Sequence, residues 1–253
     1  MNTTIIFIHG AQHDHACWMA QSQCFARHGY RVLAPDLPGH GQCAGDALPS
    51  IEAQAAWIAN LLDMEGITQA HIVGHSMGSL VALELAAQFP QRICSATLVG
   101  PALPMPVSPA LLELANKNDP KTMEMMNFWS FSVAGRLGCM GLPGLWMPGI
   151  NKRIMERQRA GVLYTDLSAC NNYKRSIESL TDIKVPVLII AGRLDKMTSL
   201  RSAQAIADAL PQGRIEVLPD CSHAMMLECP GEVVGALRGF IEEVTGREAC
   251  SLA

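Results

Sequence analysis

Residues 71–87 read HIVGHSMGSLVALELAA. An apolar run ends at Gly74, passes through His75, Ser76 and Met77 to Gly78, and turns at once into helical periodicity. This is the pattern of a strand that must turn sharply into a helix. A serine at such a turn is held out from the sheet in a strained conformation. Glycines suit positions 74 and 78, because a Cβ at either would collide with the neighbouring strand or helix. The following helix aims its free N–H groups and positive dipole end at the serine. The plain alternative is a glycine-lined turn with an incidental serine, and the rest of the chain weighs between the two.

Working outward, apolar runs alternate with helical spacing. Thr4–Ile8 reads as a buried strand ending at His9 and Gly10, followed by a helix over 18–28 that Gly29 stops. A second strand spans 31–34 and closes in DLPGHG. Ser50 caps a helix to about residue 65, with Ile51, Ala55, Ile58, Leu61 and Leu62 on one face. A strand at 71–73, a helix at 79–89 and a strand over Ile93–Val99 follow. Residues 101–181 then lack a clean strand and are rich in Met, Pro and Gly. Helical pieces are expected there at Pro109–Asn116, at 122–132, and over 151–178 with a break. The rhythm resumes with a strand at 185–191, a helix at 199–210, a strand at 214–218 and a helix at 231–245. The fold class is therefore α/β: a mostly parallel twisted sheet of about six strands, helices on both faces and an inserted helical cap. Residues 1–100 and 182–253 form the core, and 101–181 the cap.

A serine hydroxyl is a weak nucleophile and needs a base, which needs an orienting group. His223 is the only histidine downstream of Ser76, on a loop before the last helix. Asp195 directly follows the strand PVLIIAG. Asp166 and Asp182 lie in or beside the insertion, Asp208 lies inside a helix, and Asp220 is too near the histidine in sequence to be favoured. The end of the fourth strand offers Gly100 and Pro101, with no acid. The alternative for Asp195 is a helix-capping role. Two backbone donors are expected for the oxyanion: the N–H of Met77, and that of Ala11 after the tight turn at Gly10. His9, Gly10, Gly74, His75 and Gly78 support the elbow and its loop.

FIHG, DLPGHG, GHSMGS, AGRLD and the late CSH, in that order and spacing, resemble the α/β-hydrolase superfamily over nearly the whole chain. The resemblance implies Ser76 as nucleophile, Asp195 as orienting acid, His223 as base, and Ala11 and Met77 as the oxyanion hole. Members usually carry a β-hairpin before the HG strand, so the resemblance implies a sheet shorter by that hairpin. The HGAQHDHACW segment is similar to plant-type methylesterases and hydroxynitrile lyases; the elbow and cap are equally similar to bacterial esterases and carbon–carbon bond hydrolases. The expected activity is cleavage of a small to medium apolar carboxylic ester or thioester through an acyl-enzyme. The alternatives are a carbon–carbon bond hydrolase acting on a vinylogous diketone, a hydroxynitrile-lyase-like enzyme, and a receptor that keeps its pocket without turnover. Against the first, Ala224 follows His223 where those hydrolases carry tryptophan.

Composition narrows the partners. The net charge of −4 comes with no basic patch, so nucleic acid is not expected. No apolar run reaches the length of a membrane span, and the N-terminus lacks a signal-peptide pattern. Nine scattered cysteines without a CxxC pair argue against a disulfide framework and for a reducing cytoplasm. His9, His13, Asp14 and His15 do not match a metal-site spacing, so no metal or cofactor is expected, and they read as loop residues near the pocket mouth. Asp36 and His40 read as fixing the loop after the second strand. The cap methionines, with Met225 and Met226, read as pocket wall or as packing. Lys152, Arg153, Arg157, Arg159, Lys174 and Arg175 read as a solvated helix face. The partner is a small-molecule substrate; oligomeric state is left open, a dimer being compatible.

Overall fold

The computed structural model describes residues 3–140 and 144–246. Six strands, β1 (Thr4–Ile8), β2 (Arg31–Leu33), β3 (Ala70–His75), β4 (Ile93–Val99), β5 (Val187–Gly192) and β6 (Gly213–Leu218), form one sheet in the order β2-β1-β3-β4-β5-β6. Every pairing is parallel. β1, β3 and β5 are buried along their whole length, as central strands covered on both faces must be.

The helices, in chain order, are α1 (Met19–Arg27), α2 (Ile51–Met64), α3 (Met77–Gln88), α4 (Pro109–Asn116), α5 (Pro120–Ser130), α6 (Val133–Arg136), α7 (Met147–Glu156), α8 (Val162–Asn172), α9 (Leu200–Ala209), α10 (Met225–Glu228) and α11 (Pro230–Thr245). Alternation along β1 sorts the two faces. Ile6 and Ile8 join Ile51, Ile58 and Leu62 of α2, with α3 and Ile206 of α9, in one core. Ile5 and Phe7 join Trp18, Phe25 of α1, and Val233, Leu237, Phe240 and Ile241 of α11 in the other. The α11 residues recur at helical spacing, and each such fully buried side chain stabilises by about 1.5–3 kcal/mol. Ser50, Ser108 and Ser199 cap α2, α4 and α9, each accepting a backbone N–H in the first turn.

Between β4 and β5 lie α4–α8. Met126, Met155, Leu163 and Leu167 of these helices are continuous with the first core, so the insertion packs onto the sheet domain. α6 and α10, each four residues long, are too short for a sequence period to reveal.

Two expectations need correction. Cys221 and Cys229 form a disulfide, their Cα atoms 6.4 Å apart. A one-turn helix folds the chain back between them, and a separation of eight residues carries no spacing signal of its own. The six other described cysteines are free thiols; Cys250 lies outside the described residues. The cations of the α4–α8 insertion are not one free, solvated face either. Arg157 pairs with fully buried Asp14, and Arg175 with Glu84, whose side chain is 4 % exposed. Arg157 itself stays about half exposed, as does Lys152, and Arg153 is mostly exposed; Lys152 and Arg153 both pair with Glu156.

Candidate active site

All the loops that matter leave the carboxyl ends of parallel strands, where such sheets place their ligands. Ser76 follows β3 at φ +53, ψ −115, a region that residues with a side chain rarely adopt. The strain is held from both sides. Its N–H donates to the Val99 carbonyl at 2.9 Å, and its carbonyl accepts from the Ser79 N–H and hydroxyl. A Cβ on Gly74 would lie 1.9 Å from the Gly78 carbonyl oxygen, and one on Gly78 2.4 Å from that of Ile8. Only glycine lets α3 cross β1 and β3 this closely. Met77 opens α3, so its N–H has no intrahelical acceptor.

Asp195 sits just past β5, and its carboxylate accepts four hydrogen bonds. Met197 N, Thr198 N and Thr198 Oγ1 donate at 2.8, 2.9 and 2.7 Å, and His223 Nδ1 at 2.7 Å. Burial pushes this carboxyl upward, but the histidine and the N–H donors outweigh it and hold the pKa below the ordinary aspartate value. With Nδ1 so engaged, His223 Nε2 has no partner among the described residues. Ser76 and His223 line one cavity of about 270 Å³, and no hydrogen bond joins them. The rest of its wall is mainly apolar: Met105, Leu111, Met126, Trp129, Leu167 and Met197, with Lys196 and Ser108 as polar members. Several methionines combine the two roles. Met126 both lines the cavity and belongs to the first core, Met155 and Met226 are core residues that also line a smaller cavity beside Ser76 and His223, and Met225 packs in the second core.

The structure adds residues that spacing did not single out. His75, read as a flank, has Nε2 3.0 Å from the carbonyl oxygen of His223. Burial, reinforced by the neighbouring His223, drives the His75 pKa well below the ordinary value. The neutral ring therefore donates from Nε2 and ties the elbow to the histidine loop. Glu228, 2 % exposed, accepts from Ser222 N at 2.6 Å and from Ser132 N at 2.7 Å. The Ala224 N–H donates to the Ser130 carbonyl at 2.8 Å. The insertion between β4 and β5 and the loop that carries His223 are thereby locked together. In the sequence Glu228 is only an acid two residues before a proline, which points nowhere in particular.

The histidines and acids near the first loop are structural. His9 donates from Nδ1 to the Gly10 carbonyl and accepts at Nε2 from the Leu37 N–H, and burial takes its pKa to about 3. Asp14, His15 and Asp36 do cluster. Asp14, however, is neutralised by Arg157 and bonded by Gln158 and Ala16 N, and Asp36 is bonded by His15 and Gln42 N. His13 and His9 face other partners. No described helix is long and apolar enough to cross a membrane.

A family model described as "Alpha/beta hydrolase family" matches residues 5–236. Among curated relatives, Protein ABHD8 of Bos taurus is 26 % identical over 95 % of this chain, which spans 56 % of that protein. The chain thus covers about half the length of the relatives that head the comparison. Monoacylglycerol lipase abhd6-B of Xenopus laevis is 26 % identical over 95 % of this chain and 76 % of its own. The 2-hydroxy-6-oxononadienedioate/2-hydroxy-6-oxononatrienedioate hydrolase of Paraburkholderia phymatum is 27 % identical over 87 % of this chain and 80 % of its own. Among solved structures, a thermophilic esterase from Thermogutta terrifontis superposes with a TM-score of 0.85 at 22 % identity, covering 96 % of this chain and 91 % of the other.

Proposed function

The chain belongs to the alpha/beta hydrolase family and is a hydrolase, and from that premise we propose that it cleaves a small to medium apolar carboxylic ester or thioester through a Ser76–His223–Asp195 triad. The observation that carries the reading is the strained Ser76 on a cavity it shares with an Asp195-bonded histidine. Ser76 Oγ attacks the carbonyl carbon while His223 Nε2 takes its proton. Asp195 holds the Nδ1–H tautomer and stabilises the imidazolium. The N–H groups of Ala11 and Met77 receive the oxyanion. The alcohol or thiol leaves with the proton from His223, and water, deprotonated by the same ring, releases the acid. An apolar wall of methionine, leucine and tryptophan suits an apolar acyl or alcohol part. The six free thiols among the described residues suit a cytoplasmic setting, whereas the Cys221–Cys229 disulfide suits an oxidising one.

The likeness to the Paraburkholderia hydrolase favours carbon–carbon cleavage as the second reading. Burst kinetics with p-nitrophenyl acetate and butyrate, run beside Ser76→Ala, separate the two. The expected result is a stoichiometric burst and turnover in the native protein alone. Equal turnover in Ser76→Ala would sink the mechanism. A native protein inert to esters but active on a ring-fission dienone would select the second reading.

A further inference from the structure

The loop after β1 is pinned at every peptide that adjoins Ala11. The Gly10 carbonyl shares a peptide plane with the Ala11 N–H. It accepts from His9 Nδ1 at 2.9 Å and from His13 N at 3.3 Å. The Ala11 carbonyl lies 2.7 Å from His13 Nδ1. The N–H of that second peptide, on Gln12, donates to Asp166 Oδ2 at 2.8 Å across 154 residues of chain. Asp166 lies on α8, in the cap, with no exposed surface. The same oxygen takes His40 Nε2 at 2.9 Å, while His40 Nδ1 faces the Pro38 carbonyl at 3.1 Å. Gln12 itself sits at φ +58, so its backbone is in a conformation that needs outside partners to hold it. Its side-chain amide adds a bond to the Met155 carbonyl, again in the cap.

We propose that Asp166 is a positioning residue for the reaction: through Asp166 the cap fixes the Ala11–Gln12 peptide and so aims the Ala11 N–H at the developing oxyanion. The inference rests on the reading of Ala11 as an oxyanion donor. It makes the cap part of the catalytic scaffold as well as the wall of the cavity. The neighbouring ties to Asp14 by Arg157 and Gln158 hold the far end of the loop and leave the Ala11–Gln12 peptide untouched.

The test compares Asp166→Leu, which keeps bulk and removes both acceptors, with Asp166→Asn, which keeps one acceptor oxygen. On p-nitrophenyl butyrate, Asp166→Leu should lose kcat by about 10- to 100-fold with KM within about twofold, because misaiming a donor costs somewhat less than deleting it. Asp166→Asn should recover kcat to within about fivefold of native. A loss confined to KM, no loss, or equal losses in the two variants would overturn the proposal. Amide exchange reads the tether without turnover. The Gln12 amide of the native protein should exchange at least about 100-fold slower than an open loop amide, and Asp166→Leu should remove that protection. Fast exchange at Gln12 in the native protein would overturn the proposal even if the leucine variant failed to fold. A native protein without Ser76-dependent turnover would instead refute the esterase reading, and exchange alone would then decide the tether.

Discussion

At the scale of single residues, the chemistry depends on which proton each ring carries. In the proposed mechanism His223 must present a bare Nε2 to Ser76, and Asp195 would secure this by accepting the Nδ1–H. Asparagine at 195 would keep the shape and offer an N–H in place of an acceptor. The ring would then turn to the Nε2–H tautomer, which cannot take the serine proton. Asp195→Asn should therefore lower kcat by about 10⁴-fold while leaving KM and the fold near native. Steady-state kinetics beside a thermal melt check this; a loss under about tenfold would mean that Asp195 serves only to cap the turn before α9. His75 shows the opposite limit. It sits next to Ser76 in sequence, yet its side chain bonds the backbone of a residue 148 positions away, which no local pattern announces.

At the scale of elements, the core was legible because its physics is local. A strand buried on both faces reads as an apolar run, a helix as a 3.6-residue period, and the two alternate. The Pro109–Asn116 helix shares its bounds with the sequence reading because Ser108 caps it and Pro109 starts it. The end of the insertion read less well: one broken helix over 151–178 is two, Met147–Glu156 and Val162–Asn172, the second entered at left-handed Gly161. Ser76, Asp195 and His223 were legible for a similar reason, since each follows a strand in a fixed order. The ties that hold their loops were not, because they join backbone groups to side chains far apart in sequence. Glu228 is the clearest case, with one oxygen on Ser222 and the other on Ser132. Glutamine there would set an amide N–H against a backbone N–H in a dry site. Glu228→Gln should cost about 2–4 kcal/mol in urea unfolding and lower kcat several-fold through a loosened histidine loop. A variant as stable as the native protein would show that cap and loop hold without this carboxylate.

At the scale of the whole molecule, the same burial that fixes tautomers makes the fold sensitive to acid. Burial lowers the pKa of His9 to about 3, and also lowers those of His13 and His75. Unfolded, each would titrate near pH 6.5. Below that pH the unfolded chain binds protons that the folded one refuses, so stability falls as pH falls. His40 runs the other way. Burial opposes its charge, but Asp166 outweighs burial and raises its pKa. Its contribution is complete below about pH 6.5 and is lost as pH rises through the folded value. Near pH 5.5 His40 is protonated in both states and drops out, leaving the proton uptake of the rings whose folded pKa is lowered. At about 1.4 kcal/mol per proton per pH unit, each ring that stays neutral in the fold adds about that much to the fall in stability per unit. Against a typical total of about 5–15 kcal/mol, the protein should be markedly less stable near pH 5 than at pH 7. Urea midpoints at pH 7.0, 6.0 and 5.5 measure the slope. A flat profile would mean that these three rings accept protons inside the fold, and the neutral His75 that ties the elbow to His223 would have to be abandoned.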